Sequence, residues 1–334
     1  MTGRRVIRES GEERLIARHF RPLARHPGAF GLADDAAALT PPPGCDLVLT
    51  TDGVIAGVHV FPDDPADAIA RKALRMNLSD LAAKGAKPAG FLLSIALPGD
   101  TGDDWLEAFA RGLGADADHY DCPLLGGDTD RTPGPLSVSI AAFGTLPTGT
   151  MVRRSGARPG DVLAVTGTIG DAALGLKLRQ DAAAGRNLTG EARNHLLARY
   201  LLPEPRTALA DLVRAHASAA LDVSDGFAGD LAKLCRASAV SAHVDVERVP
   251  LSDAARAMLA AEPALLERAL TGGDDYEILA AVPASEVADF RAGAARAGIV
   301  VTEIGRIEPG EPQPRFTGAD RRPLAFERPS FSHF

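Results

Sequence analysis

PADAIARKALRMNLSDLAAKGAKPAGFLLSIAL, residues 65–97, sets a helix directly before a strand. Pro65 suits a helix start, because its missing N–H is a donor that the first turn would leave unpaired anyway. The helix runs through Ala68, Ile69, Lys72, Ala73 and Met76 toward Leu81, and GFLLSIAL at Gly90–Leu97 reads as a strand. Upstream, CDLVLTT at Cys45–Thr51 reads as another strand. Leu15, Ile16, Phe20 and Leu23 give Glu12–His26 the spacing of a short amphipathic helix. Downstream, Asp103–Asp118 reads as a helix and Leu136–Phe143 as a strand. Strands and helices mixed in this way indicate an α/β or α+β chain.

The segment PTGTMVRRSGARPG, Pro147–Gly160, is basic and rich in turn residues, and marks the expected domain boundary. Beyond it DVLAVTG is a strand and DAALGLKL starts a helix. Helices are expected over Arg206–Ser218, Gly229–Ser238 and Asp253–Leu270, with AHVDVE and YEILAAV as strands. From Glu308 onward, Pro, Gly and charge predict loop, and the closing PSFSHF is aromatic enough to fold back against a site.

A length of 334 residues suits two domains of ordinary size. The apolar fraction of 46% supports a full core, and with only 5% aromatics that core must be built from Ala, Leu, Val and Ile. A net charge of -8 argues against non-specific nucleic-acid binding, which calls for a basic patch. Cys45, Cys122 and Cys235 are odd in number, widely spaced and without CxxC, so each reads as a small buried hydrophobe. The first twenty residues lack the apolar core of a signal peptide and no run reaches the length of a membrane span, so the cytoplasm is the expected compartment.

Acids recur in glycine-bearing turns and at strand ends. Asp34 and Asp35 sit in FGLADDAA, Asp52 in TTDG, Asp80 in NLSDLAAKG, Asp128 in LLGGDT, Asp222 and Asp225 in DVSDG, and Asp274 and Asp275 in LTGGDD. Four of these segments form an echo between the two halves, with LTTDG and LLGGDT answered by DVSDG and LTGGDD. Taken singly, each acid also fits turn or capping chemistry. Asp80 stands apart, because it falls between Leu78 and Leu81 within a running helix, where a charge needs a partner or a metal. As a set, scattered single carboxylates suit magnesium, which takes one or two of them together with waters and substrate phosphates. The histidines show no HExxH, which disfavours zinc. Double glycines in LLGGDT and LTGGDD, and the turn GTIGDAALG entering a helix, are candidate phosphate cradles. There is no GxxxxGK[ST], no GxGxxG and no HRD–DFG pair. Arg153 and Arg154 are candidate phosphate clamps, or solvated surface arginines. Lys72, Lys84 and Lys87 lie near the Asp80 turn, and His59 follows TTDG as a candidate donor to an acceptor phosphate.

These segments run in the order found in the thiamine-monophosphate kinase family, which the chain resembles. That family belongs to an ATP-binding superfamily with aminoimidazole ribonucleotide synthetase, selenophosphate synthetase and a hydrogenase maturation factor. The resemblance rests on ADDAA (33–37), LTTDGVIAGVHVF (49–61), KALRMNLSDLAAKGAKP (72–88), LLGGDT (124–129), RRSGARPGD (153–161), VTGTIGDAALGL (165–176), LDVSDGFAGDL (221–231) and LTGGDDYEI (270–278). It implies a two-domain aminoimidazole-ribonucleotide-synthetase-like fold. A mixed-sheet N-terminal domain, residues 1–148, would bind metal and ATP and form a homodimer. A C-terminal α/β domain, residues 149–334, would complete the ATP and acceptor site. Carried over residue by residue, Asp35, Thr50, Thr51, Asp52, Asp80, Asp128, Asp222 and Asp225 would hold Mg2+. Tyr120, Gly127, Asp128, Arg154 and Ser224 would hold ATP, and His59, Asp274 and Phe331 would meet thiamine monophosphate. Three positions depart from the family pattern. Ala33 replaces a glycine, which alanine can do where φ is negative. Asp274 replaces a glutamate and shortens its reach by one methylene. Phe331 replaces Trp or Tyr and keeps only the flat ring.

The implied reaction is transfer of a phosphoryl group from ATP to thiamine monophosphate, giving thiamine diphosphate and ADP. The acceptor phosphate, with a second pKa near 6, is already largely anionic at neutral pH. The difficulty is therefore charge repulsion, which Mg2+ and Arg154 would relieve, with direct in-line transfer and no phosphoenzyme. Asp225 and Asp52 read as ligands before they read as bases. The alternatives are a sister ATP-dependent enzyme acting on another small acceptor, a metal-dependent phosphatase and a non-catalytic scaffold. No Cys precedes Cys45, which sets the chain apart from the reactive N-terminus expected of a selenophosphate synthetase.

Overall fold

The computed structural model describes residues 10–181 and 183–331. The chain divides into two compact units. One comprises Met1–Pro42, Leu49–Leu74 and Pro88–Phe143, and the other Pro43–Val48, Arg75–Lys87 and Gly144–Phe334.

The first unit is built on a four-stranded sheet of β1 (Cys45–Ile55), β2 (Lys87–Pro98), β3 (Leu124–Thr132) and β4 (Ser137–Pro147), in the order β1-β4-β2-β3. β2 and β3 are parallel neighbours, so the chain between them must cross over, and helix α3 (Asp103–His119) is that crossover. Phe91, Leu93, Ile95 and Leu97 alternate along β2 into the core, as the two-residue strand period requires. Phe109 of α3 stacks on Trp105 at 5.2 Å and meets Phe20 edge-on at 6.5 Å.

Helix α2 (Ala66–Ala83) gives its first half to the first unit and its second half to the other. It is buried over almost its whole length, and Lys72, Arg75, Asn77 and Ser79 are buried with it. Buried polar groups need partners. Lys72 donates to the His59 carbonyl oxygen at 3.3 Å, and Arg75 to that of Pro203 at 2.9 Å.

The second unit holds a seven-stranded sheet of β5 (Val162–Thr166), β6 (Ala219–Asp222), β7 (Ser241–Asp245), β8 (Ile278–Val282), β9 (Val301–Glu308), β10 (Pro314–Thr317) and β11 (Pro323–Leu324). The order is β11-β10-β7-β9-β5-β8-β6, antiparallel throughout except for β10 beside β7. Both faces are covered. Leu163, Val165, Leu221 and Leu279 pack with Leu231 and Leu234 of helix α7 (Phe227–Ser238). Val162, Ala164, Ala220 and Ala280 pack with Val213 and Phe290 on the other face. Burial on both faces is why VLAVT and ILAAV are unbroken apolar runs rather than alternating ones. A third cluster joins Leu174, Leu178, Leu196, Met258 and Leu265 from α4 (Asp171–Gln180), α5 (Gly190–Leu201), α8 (Asp253–Ala261) and α9 (Leu265–Thr271). The architecture is the expected two-domain mixture of helices and mixed sheets.

Several local expectations are corrected. The helix expected over Glu12–His26 is an α turn at Gly11–Leu15, a π turn at Ile16–Phe20 and a 3-10 turn at Arg21–Leu23. Pro22 has no N–H for the ladder and crowds the carbonyl four residues back. The helix expected over Asp253–Leu270 is two helices separated at Pro263 for the same reason. The tail from Glu308 carries two short strands, β10 and β11, and its prolines are tolerated because the sheet ends there. Cys122 and Cys235 are buried as expected, and desolvation pushes their thiols up to about 12 and about 11, whereas Cys45 is only half-buried. The opening residues 1–9 and the final 332–334, part of PSFSHF, lie outside the described residues.

Gly305 of β9 is packed so tightly that an added Cβ would sit 1.9 Å from the His243 carbonyl oxygen. Gly305→Ala is therefore expected to cost more than about 2 kcal/mol in a chemical unfolding titration. Gly190→Ala, where a Cβ meets nothing within 4 Å, serves as the control and should be neutral or slightly stabilising.

Candidate active site

Two loops of the second unit carry most of its candidate residues. The first follows β6 and holds Asp222, Ser224 and Asp225. Gly226 has φ of 122°, and a Cβ there would lie 2.2 Å from the Thr271 carbonyl oxygen, so only glycine fits. The three successive amides of Ser224, Asp225 and Gly226 all donate to one carboxylate oxygen of Asp230, at 3.0, 2.9 and 3.1 Å. Asp230 was not among the candidates read from the sequence, although its place four residues after a DG turn is a usable signal. Lys233 bonds both Asp230 and Asp225. Burial raises the Asp230 pKa, against the opposing pull of Lys233.

Asp222 is buried and accepts from Ser79 Oγ at 2.7 Å. Its pKa is raised well above the ordinary value, first by desolvation and then by the Asp80 carboxylate. Lys84 acts in the opposite sense. Its ammonium donates to the Ala220 carbonyl at 2.7 Å, and burial lowers its own pKa. Lys87 is committed elsewhere, to Asp211 at 2.7 Å. Arg153 and Arg154 are both exposed, and the Arg154 carbonyl accepts from Ser238 Oγ at 2.8 Å.

The second loop is Gly272–Tyr276. Its left-handed residues are Asp274 (φ 76°) and Tyr276 (φ 53°), not its two glycines. Gly273 is required for another reason: a Cβ would lie 2.2 Å from the Ser224 carbonyl oxygen. The Asp274 amide donates to that same oxygen at 2.9 Å, and the Tyr276 amide to the Val223 carbonyl at 2.8 Å, so the two loops are stitched together. Asp275 is buried and accepts from the Gly170 amide at 2.7 Å and the Ala172 amide at 3.4 Å. The start of α4, expected as a phosphate cradle in GTIGDAALG, is thus capped by the protein's own carboxylate. Burial holds the Asp275 pKa well above the carboxylate range. The Phe331 amide donates to the Asp225 carbonyl at 2.9 Å, so the described end of PSFSHF folds back on the first loop.

The first unit carries the other candidates. Asp35 is exposed, and its amide donates to Asp34 Oδ1 at 2.8 Å. Ala33 has φ of -110°, so alanine is unstrained where the family pattern has glycine. Thr50 and Asp52 lie within β1, on the face opposite Thr51 by strand alternation, so the Thr51 side chain is not grouped with theirs. Leu124–Thr132 is strand and not a turn, and Gly127 is packed with its missing Cβ 1.8 Å from the Leu93 carbonyl oxygen. Asp128 is exposed and accepts from the Thr129 amide at 3.0 Å. Tyr120 meets His119 edge-on at 4.6 Å. His59 Nδ1 accepts from the Ile55 amide at 3.0 Å, which places the proton of a neutral ring on Nε2.

Among the described residues, no group of three or more His, Cys, Asp or Glu side chains is gathered closely enough to hold a metal by itself. The donors nonetheless fit magnesium and not zinc. They are hard carboxylate and hydroxyl oxygens, and Asp80 repels the buried Asp222. An ion that completes its shell with waters and phosphates matches one or two carboxylates at a time.

The raised Asp222 pKa has a definite sign in stability. An unfolded Asp titrates near 4. The folded carboxyl keeps its proton above that pH, so stability falls as pH rises from about 4 through the higher folded value. Asp222→Asn removes this loss while retaining an acceptor for Ser79. In metal-free protein, the melting-temperature advantage of the variant over wild type should be larger at about pH 7.5 than at about pH 4.5. An advantage that does not change with pH would show that Asp222 bears no such load.

Known proteins resemble the chain along nearly its whole length. Residues 33–146 match the family model for the AIR synthase related protein N-terminal domain, and residues 158–314 that for its C-terminal domain. The chain is 47% identical over 300 residues to thiamine-monophosphate kinase of Caulobacter vibrioides, covering 89% of this chain and 84% of that one. It is 40% identical to the Salmonella typhimurium enzyme of the same name, covering 97% and 98%. Among solved structures, thiamine-monophosphate kinase from Stenotrophomonas maltophilia K279a superposes with a TM-score of 0.81 at 40% identity, covering 91% of this chain and 94% of that one. AaThiL complexed with AMPPCP and TMP superposes with a TM-score of 0.76 at 29% identity, covering 92% and 97%. With both domains matched and identity of this order along nearly the whole length, the chain belongs to the thiamine-monophosphate kinase family of AIR-synthase-related proteins.

Proposed function

We propose that the protein transfers the γ-phosphoryl group of ATP to the phosphate of thiamine monophosphate, releasing thiamine diphosphate and ADP. The observation that carries this reading is the 47% identity to a thiamine-monophosphate kinase over 300 residues. The relative solved with AMPPCP and TMP supports the same pair of substrates. Asp35, Thr50, Asp52, Asp80, Asp128, Asp222 and Asp225 would hold Mg2+, with Thr51 contributing through its backbone. Bound there, Mg2+ would neutralise phosphate charge and stabilise the transferring group. Tyr120, Gly127, Asp128, Arg154 and Ser224 would hold ATP. The exposed guanidinium of Arg154 suits bidentate contact with phosphate oxygens. His59, through Nε2, and the half-buried Asp274 would orient the acceptor, and Phe331 would offer a ring to stack on. The acceptor oxygen is already anionic near pH 7 and needs no strong base. Asp225 therefore acts through charge and position, and its pairing with Lys233 holds it ready for that.

The decisive experiment is chromatographic identification of products from purified protein, ATP, magnesium and either thiamine monophosphate or free thiamine. Thiamine diphosphate and ADP should form only with the monophosphate. Magnesium-ATP binding without thiamine diphosphate would sink the acceptor assignment.

We also propose a homodimer in the cytoplasm. No helix among the described residues is long and apolar enough to cross a membrane. β1 is the last strand of its sheet, and Leu49 (63% exposed) and Ile55 (37%) lie on its outer face, with Val58 (54%) just beyond. An edge strand with an apolar face invites a second copy. Sedimentation should show a dimer for wild type and a monomer for Leu49→Asp combined with Ile55→Asp. A monomeric wild type would overturn this.

A further inference from the structure

Beneath the Gly272–Tyr276 loop lies a charged cluster to which the phosphoryl-transfer reading gives no role. Glu277 follows that loop directly and is fully buried. Its carboxylate accepts from Arg199 Nη2 at 3.0 Å, from Arg206 Nε at 2.7 Å and Nη2 on the other oxygen, and from Thr166 Oγ1 at 2.7 Å. Arg206 therefore grips Glu277 with a two-pronged fork, a geometry lysine cannot reproduce. Arg199 reaches further. The same Nη2 donates to the Asp275 carbonyl oxygen at 3.3 Å, so one guanidinium spans the chain on both sides of Tyr276. Glu204 on the outside balances the two arginines at 3.1 and 3.3 Å.

Buried ion clusters contribute little net stability, because desolvation offsets much of their attraction. This one adjoins two non-glycine residues held at positive φ, a conformation that persists only where its surroundings over-determine it. The loop is pinned on one side by the Asp275 carboxylate at the start of α4 and on the other by Glu277. Just before those pins, Asp274 stays half-buried, and its Oδ1 accepts from Tyr276 OH at 3.3 Å.

We propose that Arg199, Arg206 and Glu277 are positioning residues that hold the Asp274–Tyr276 backbone in its left-handed conformation and thereby set the affinity for the acceptor, without acting on ATP. This inference rests on the reading of Asp274 as an acceptor contact. It gives the shortened acid at 274 a supporting frame: a side chain one methylene shorter depends more on the placement of its backbone.

The test is steady-state kinetics of Arg206→Lys, Arg199→Lys and Tyr276→Phe in the full-length protein, with each substrate varied in turn. Arg206→Lys should raise KM for thiamine monophosphate about tenfold, with KM for ATP and kcat each changed less than about twofold. Tyr276→Phe leaves the ion cluster intact and should shift the same KM in the same direction by a smaller factor. In combination with Asp274→Asn, the Arg206→Lys effect on that KM should shrink, since both act on one group. Equal rises in both KM values, or a fall in melting temperature with acceptor KM unchanged, would overturn the proposal. Should Arg206→Lys not fold, Arg199→Lys and Tyr276→Phe decide by the same criterion. Absence of thiamine diphosphate from the wild type would instead defeat the functional reading beneath it.

Discussion

A carboxylate removed from water must meet donors or a cation, or give up its charge. The second unit removes Asp161, Asp171, Asp222, Asp230, Asp275 and Glu277, and its loops are shaped by how each is answered. Asp171 receives Thr168, Ser252 and His195. Asp230 receives three backbone amides and Lys233. Asp275 receives the start of α4, and Glu277 two arginines. Asp161 receives Ser218 Oγ and the Arg158 amide. Asp222 differs, because Ser79 donates to it and Lys84 draws on it while Asp80 pushes against it.

The answered carboxylates do mechanical work on the backbone. Asp230 gathers the amides of 224–226 and so decides where Ser224 and Asp225 stand. Asp275 and Glu277 anchor the end of the second loop, and the amides of Asp274 and Tyr276 tie it to the carbonyls of Ser224 and Val223. A Cβ at Gly226 or Gly273 would strike the backbone of the opposite loop. The glycines therefore bring two stretches of backbone together, a different use from the anion cradle that double glycines suggest in sequence.

Much of this was legible before the structure. The mixed two-domain class, the strands VLAVT and ILAAV, and the family all follow from short local patterns. What was missed depends on distance along the chain. Arg199 and Arg206 lie more than seventy residues from Glu277, and nothing local marks them as its partners. The capping of α4 by Asp275 is equally non-local, so GTIGDAALG read as an open anion site. Pro22 and Pro263 were visible as breaks, but the apolar spacing around them was read as continuous helix. In isolation the double glycine of LLGGDT suggests a phosphate cradle. Parallel pairing with β2 holds it extended and leaves no room for a side chain at Gly127.

The two loops share a pattern that unites these observations. In DVSDG, Asp222 is sealed while Ser224 and Asp225 remain half-exposed. In GGDDYE, Asp275 and Glu277 are sealed while Asp274 remains half-exposed. Each loop thus sets acids that hold the backbone beside an acid that stays half-exposed. A carboxylate flexible enough to satisfy its own needs would fold onto nearby amides, as Asp230 does. Asp225 instead meets Lys233, and Asp274 meets the Tyr276 hydroxyl. The cost of burying charge in this unit is thereby converted into placement of the backbone that carries both acids.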